Sequence, residues 1–147
     1  LNLAAGTAGF FAYSGRRKYF HQMNAAWNVV NAAIATGGLV AAASEDPASY
    51  GLVETIREAE FIEKLLLFNA GLDVGYVAAG AYLRELGTRR ESPRLGGYGA
   101  SLLVQGAFLF SFDVAMFWIH HAGTSKFYET IRPMVGPGSG LSLQLSF

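Results

Sequence analysis

The stretch Leu65–Leu83 reads LLLFNAGLDVGYVAAGAYL, and Asp73 is its single charged residue. A helix needs roughly 20 mostly apolar residues to cross the hydrocarbon core of a bilayer. Two further stretches of this kind occur, Gln22–Ala43 and Tyr98–Ile119, and each also has polar residues in its middle. Because an amide or carboxyl group is costly in lipid, we expect these polar residues to face the inside of a helical bundle.

The composition fits such a bundle and excludes several other classes of protein. Charged residues make up 15% of the 147 residues, against about 25% in an ordinary soluble domain. The net charge is zero and no basic block suits nucleic acid, so no nucleic-acid partner is predicted. The absence of cysteine excludes disulfides, thiolate metal sites and cysteine nucleophiles.

The predicted fold is all-α, an antiparallel four-helix transmembrane bundle over residues 1–121. The patterns of apolar and breaking residues place its helices at about 1–14, 22–43, 47–86 and 98–121, with Asp46 as N-cap and Pro47 as first residue of the third. The first apolar run is short for a span and begins at Leu1 rather than Met. We therefore expect either a processed chain or a truncated first transmembrane helix, and favour the second.

Residues 122–147 are predicted to form a short extramembrane tail. Thr124–Met134 has the composition of a short interfacial helix, and a glycine-rich break follows it. Leu141–Phe147 then alternates apolar and polar residues, as a half-buried strand does. A single strand is not stable alone. The segment therefore rests on the membrane surface, joins the sheet edge of a partner, or is a loosely held terminus.

The charges predict an orientation. Seven of the eleven Lys and Arg residues lie in two connectors on one side of the bundle, and Lys and Arg mark the cytoplasmic side. These are Arg16, Arg17, Lys18, Arg84, Arg89, Arg90 and Arg94. The loop on the other side is acidic, with Glu45, Asp46, Glu54, Glu58, Glu60 and Glu63. We expect the basic connectors in the cytoplasm and the acidic loop and C-terminal tail on the outer side.

The first two long helices each carry their polar residues on one face, at spacings of three or four residues. In the last helix Asp113 and His120 share a face at a spacing of seven residues, and Gln105 lies within about 80° of Asp113. Bringing the three faces together gives a polar seam. Its candidate residues are Asn28, Asn31, Asn69, Asp73, Tyr76, Gln105 and Asp113. The seam has three interpretations: hydrogen bonds that fix helix packing, a site for a proton, ion or small amphiphile such as a quinone or lipid, or a contact with another subunit's helices. Gly71 and Gly75, which flank Asp73, have the spacing of a close helix contact.

No metal and no cofactor is predicted. Haem is not favoured, because His21 and the pair His120–His121 lie about a membrane apart and could not ligate one iron within the bundle. Glu60 and Glu63 face the histidine pair across one end of the bundle and could bind a divalent metal. They lack the Glu-x-x-His spacing of di-iron bundles, and interfacial charge explains them as well.

Short motifs spread over roughly residues 1–121 carry a family resemblance. These are Tyr19–Asn24, Trp27–Asn31, Leu67–Asp73, Gly97–Gly99, Gln105–Gly106 and Phe112–Asp113. In these motifs the chain resembles an uncharacterised family of small polytopic membrane proteins from Bacteroidota and related bacteria. The resemblance implies several helices, a bacterial membrane, further sequence before Leu1, and no assigned activity or catalytic residue.

The predicted function is non-enzymatic, since no recognisable hydrolase or nucleotide-binding motif occurs. We expect an accessory or scaffolding subunit of an oligomer or larger complex in the bacterial inner membrane. Its expected partners are membrane lipids and other transmembrane subunits or further copies of the chain. The alternative function is a binding site within the polar seam.

Overall fold

The computed structural model describes residues 2–44, 46 and 49–135, which form four α-helices and no strand. The helices are α1 (Asn2–Ala12), α2 (Gly15–Ser44), α3 (Leu52–Arg89) and α4 (Pro93–Val135). The predicted all-α, four-helix fold is thereby confirmed. The predicted strand Leu141–Phe147 lies outside the described residues.

Two tight turns lie at the same end of the bundle, which we call the hairpin end; the opposite end is the far end. Between α1 and α2 the chain reverses at Gly15, whose φ of 57° lies in the left-handed region that favours glycine. Between α3 and α4, Ser92 N–H donates to the Gly87 carbonyl (2.8 Å), and Pro93 occupies the first position of α4.

Helix α4 lies between α2 and α3. It packs against both of them, while α1 packs against α2. The backbones of α2 and α3 do not approach each other among the described residues, but the rings of Trp27 and Tyr76 bridge them with centroids 4.7 Å apart. The order in space is therefore α1, α2, α4, α3, and α4 offers a separate face to each of its long neighbours.

Glycines set the distance between α4 and its neighbours. A Cβ added at Gly80 of α3 would lie 2.7 Å from the Leu103 backbone nitrogen of α4. A Cβ at Gly97 of α4 would meet the backbone and side chains of Arg16–Phe20 in α2. We expected Gly71 and Gly75 to lie in a close helix contact, and within this chain that expectation is wrong. Both residues are exposed, and a Cβ added at either would meet nothing within 4 Å.

Four helix ends differ from the predicted ones by five or more residues, and one of them is the start of α4, at Pro93 rather than residue 98. Helix α2 begins at Gly15 rather than near residue 22, and α3 begins at Leu52 with Gly51 as N-cap rather than at Pro47 with Asp46 as N-cap. Helix α4 continues without a break to Val135, so Thr124–Met134 is not a separate interfacial helix. Glycine inside a helix costs only about 1 kcal/mol, and the Thr124 hydroxyl bonds back to the His120 carbonyl (3.1 Å), so Gly123 does not end the helix.

In contrast to a soluble protein, this bundle buries polar side chains and exposes large apolar ones. The buried side chains include four polar ones, Asp73, Ser101, Asp113 and Thr124, whereas large apolar side chains such as Ile34 and Phe108 are 70% and 68% exposed. Helices α2, α3 and α4 are long and apolar enough to cross a membrane. A surface of this kind suits lipid rather than water, where an apolar surface so extensive would aggregate.

The packing predicts opposite effects for two glycines of α3. Gly80→Ala is expected to destabilise the folded bundle by about 1–3 kcal/mol, because its methyl group would enter the backbone of α4. Gly71→Ala adds the same methyl group where there is free space, and should be neutral or stabilise the helix by up to about 1 kcal/mol. Thermal unfolding in detergent, followed by circular dichroism, measures both. Equal destabilisation by the two variants would contradict this packing of α3 on α4.

Candidate functional site

A pair of carboxyl groups lies buried between α3 and α4. Asp73 and Asp113 are 4% and 9% exposed, and their side chains lie close enough together on the facing helices to interact. Two ionised carboxylates have no hydrogen to share, so a hydrogen bond between them requires a proton on one. No described Lys, Arg or His forms an ion pair with either, and Asp73 Oδ2 has no described partner.

Close packing of α3 against α4 covers this carboxyl pair. Gly106 of α4 lies against the Asp73 carbonyl and Val77, so the two backbones are close beside the acids. A charge in such a place is costly without a counter-charge, whereas a shared proton or a bound cation would remove much of the repulsion. The pair therefore has the chemistry of a small-cation or proton site.

A second polar region, the carboxamide groove, lies between α2 and α4 beside the start of α1. It has a volume of about 360 Å³. Five carboxamide side chains and four apolar ones line it: Asn2, Asn24, Asn28, Asn31 and Gln105, with Phe20, Val104, Phe108 and Leu109.

Part of the hydrogen bonding in this groove is internal. Asn28 Nδ2 donates to the Asn24 carbonyl (2.7 Å), and Asn24 Nδ2 donates to the Asn2 carbonyl (3.3 Å). Gln105 Nε2 donates to the Ser101 hydroxyl (2.8 Å). Asn31 lines the groove and forms no hydrogen bond among the residues that the structure describes.

The structure divides the predicted seam into these two regions and leaves two of its residues elsewhere. Asn28, Asn31 and Gln105 meet in the carboxamide groove, while Asp73 and Asp113 meet on the other side of α4. Tyr76 packs edge-on against Trp27, and Asn69 is half-buried on α3 without a described hydrogen bond.

Residues that line or support the groove were absent from the predicted set. Ser101 is completely buried and anchors Gln105, and a small polar residue inside an apolar span is the signal that points to it. Asn24 begins the α2 stripe, four residues before Asn28. Phe20 and Phe108 had no distinguishing signal, because aromatic residues are common on lipid-facing helices.

A third polar contact joins α3 to α4 towards the far end. Glu63 Oε2 lies 3.2 Å from His121 Nδ1, and Glu63 Oε1 lies 3.9 Å from His120 Nδ1. Glu60 instead pairs with Lys64 on its own helix (3.0 Å). Among the described residues, no group of three or more His, Asp or Glu side chains is arranged to hold a metal ion. The Glu63–His121 contact joins α3 to α4.

Residues 1–114 match the model of one protein family, whose description reads "Family of unknown function (DUF6992)". The chain belongs to that family. The matched part includes the carboxyl pair and the whole carboxamide groove, but not His120 or His121 of the far-end contact. No curated protein and no solved structure matches the chain.

Proposed function

We propose that this protein is a small, non-enzymatic integral membrane protein that acts as an accessory or scaffolding subunit of an oligomer or larger complex in the bacterial inner membrane. Its three long apolar helices, its exposed apolar side chains and its buried polar ones support the membrane position.

The far half of α2 supports the proposal that the protein is a subunit of a larger assembly. Residues 32–44 are exposed in the part of the chain that the structure describes. Ala35, Gly38 and Ala42 follow one another on a single face, and a Cβ at Gly38 would meet nothing within 4 Å. In lipid, small residues allow the backbone of another helix to approach closely. Van der Waals contacts and interhelical hydrogen bonds then stabilise the association of the two helices. This face is the proposed contact with a partner helix.

Two alanine variants on opposite faces of α2 test the contact. Residues 33 and 35 are about 200° apart around the helix axis, and both are exposed. Ala35→Leu is expected to displace the partner, because its larger side chain keeps the two backbones apart, while Ala33→Leu should leave it in place. Native mass spectrometry of protein extracted gently from its own membranes measures the assembly.

Each result has a separate meaning. A heteromeric mass that is lost in Ala35→Leu supports a subunit role, and a homo-oligomer lost in the same way supports scaffolding by self-association. A monomer in the unsubstituted protein, or an equal loss in both variants, would contradict the proposed face.

The orientation is proposed from the charges. Seven Lys and Arg residues lie at or near the hairpin end, which is assigned to the cytoplasm. Since the chain has no cysteine, single cysteines report its sidedness. In spheroplasts, a membrane-impermeant maleimide should label Ser49→Cys but not Thr88→Cys, whereas lysis should make both reactive. Labelling of Thr88→Cys before lysis would reverse the assignment.

A second candidate function is a proton or monovalent-cation site at Asp73 and Asp113, favoured by their burial beside each other. A shared proton should give an infrared carbonyl band of a protonated carboxyl group. Asp73→Asn and Asp113→Asn should each remove this band, because the Asn amide then donates to the remaining carboxylate. Glu85→Gln, which changes an exposed acid, should retain it.

Circular dichroism shows whether these variants keep their helices. A band that is unchanged in both Asp variants, or missing from the unsubstituted protein, would contradict the shared proton.

A further inference from the structure

The carboxamide groove combines amide groups with an apolar opening. Val104 and Phe108, which lie on its α4 wall, are exposed on the surface assigned to lipid. A ligand would therefore enter sideways from the bilayer, and its apolar part could stay in contact with lipid. The volume of about 360 Å³ lies within the range of about 300–1,000 Å³ for small-molecule sites.

The lining of the groove selects an uncharged polar head group. Its polar side chains are Asn and Gln alone, so a phosphate or carboxylate would find no cation among the lining residues. An amide, in contrast, donates through nitrogen and accepts through oxygen. Asn31 has both capacities unused among the described residues, and an unused amide facing lipid is costly.

The depth of the groove excludes a ligand that stays at the membrane surface. Asn31 lies 16 positions beyond Gly15, or about 24 Å along α2, and Gln105 lies 12 positions beyond Pro93, or about 18 Å along α4. Asn31 is thus near the middle of α2, and both amides lie about 18–24 Å from the hairpin end, deeper than a phospholipid head group resides. Phe20 and Phe108 in the wall add aromatic surface, which favours a flat ring.

We infer that the carboxamide groove binds the head group of a quinone-class amphiphile, a flat ring with two carbonyl oxygens on an apolar tail. The amide of Asn31 donates to one carbonyl oxygen of the ring, and Gln105 contributes a second polar contact. The tail leaves between Val104 and Phe108 into the lipid. This inference rests on the proposed membrane position of the bundle and does not depend on a partner subunit.

The experiment is a titration of the protein in lipid nanodiscs with a decyl-tailed ubiquinone analogue. Trp27 lies one helical turn before Asn31, and Trp118→Phe leaves it as the only tryptophan, so quenching of its fluorescence reports binding. Saturable quenching is expected. Asn31→Leu should raise the Kd about tenfold, as the loss of one hydrogen bond to a ligand does. Gln105→Leu should raise it by a similar factor.

Matched variants separate binding from folding. Asn69→Leu removes a carboxamide of α3 that lies outside the groove, and should leave the Kd unchanged. Asn31→Gln retains an amide and should bind more tightly than Asn31→Leu. Quenching that does not saturate, an equal loss of affinity in Asn69→Leu, or equally strong competition by dioleoylglycerol would overturn the quinone assignment. Failure of the protein to enter nanodiscs at all would instead refute the membrane position, and with it the proposed function.

Discussion

The close approach of α4 to both long neighbours is the constraint on which the bundle depends. In the proposed membrane position, lipid supplies little hydrophobic force between helices, so their association relies on van der Waals contact and on interhelical hydrogen bonds. Glycines make that contact possible, since Gly80 and Gly97 bring α3 and α2 against α4 where a methyl group would not fit. Helix α4 consequently takes the central position, and the other helices are placed by their contacts with it.

The central position of α4 explains why one predicted polar seam became two regions. Periodicity in the sequence identifies the residues that share a face of one helix, and all the paired acids and most of the groove amides were found in this way. Periodicity does not say which helices are neighbours. Asp113 faces α3 and Gln105 faces α2, although the two lie within about 80° on α4.

The sequence predicted the number and type of helices better than their ends or their contacts. A long apolar run identifies a helix reliably. The residue at which a helix ends, in contrast, depends on free-energy differences of about 1 kcal/mol between local conformations, and α4 continues through Gly123. The small-residue signal was equally ambiguous. Gly71 and Gly75 have the spacing of a packing motif yet face outward, while Gly80, seven residues after Asp73 and on the same face of α3, lies in the contact with α4.

The two polar regions differ in what can reach them, and this separates their chemistry. The carboxyl pair is almost completely covered by α3 and α4, so only a proton or a small cation could exchange with it without separating the helices. The carboxamide groove is open towards α4's exposed aromatic and aliphatic side chains and is uncharged, so it suits a neutral amphiphile. Because α4 carries a wall of each region, a ligand that moves α4 against α2 would also alter its contact with α3.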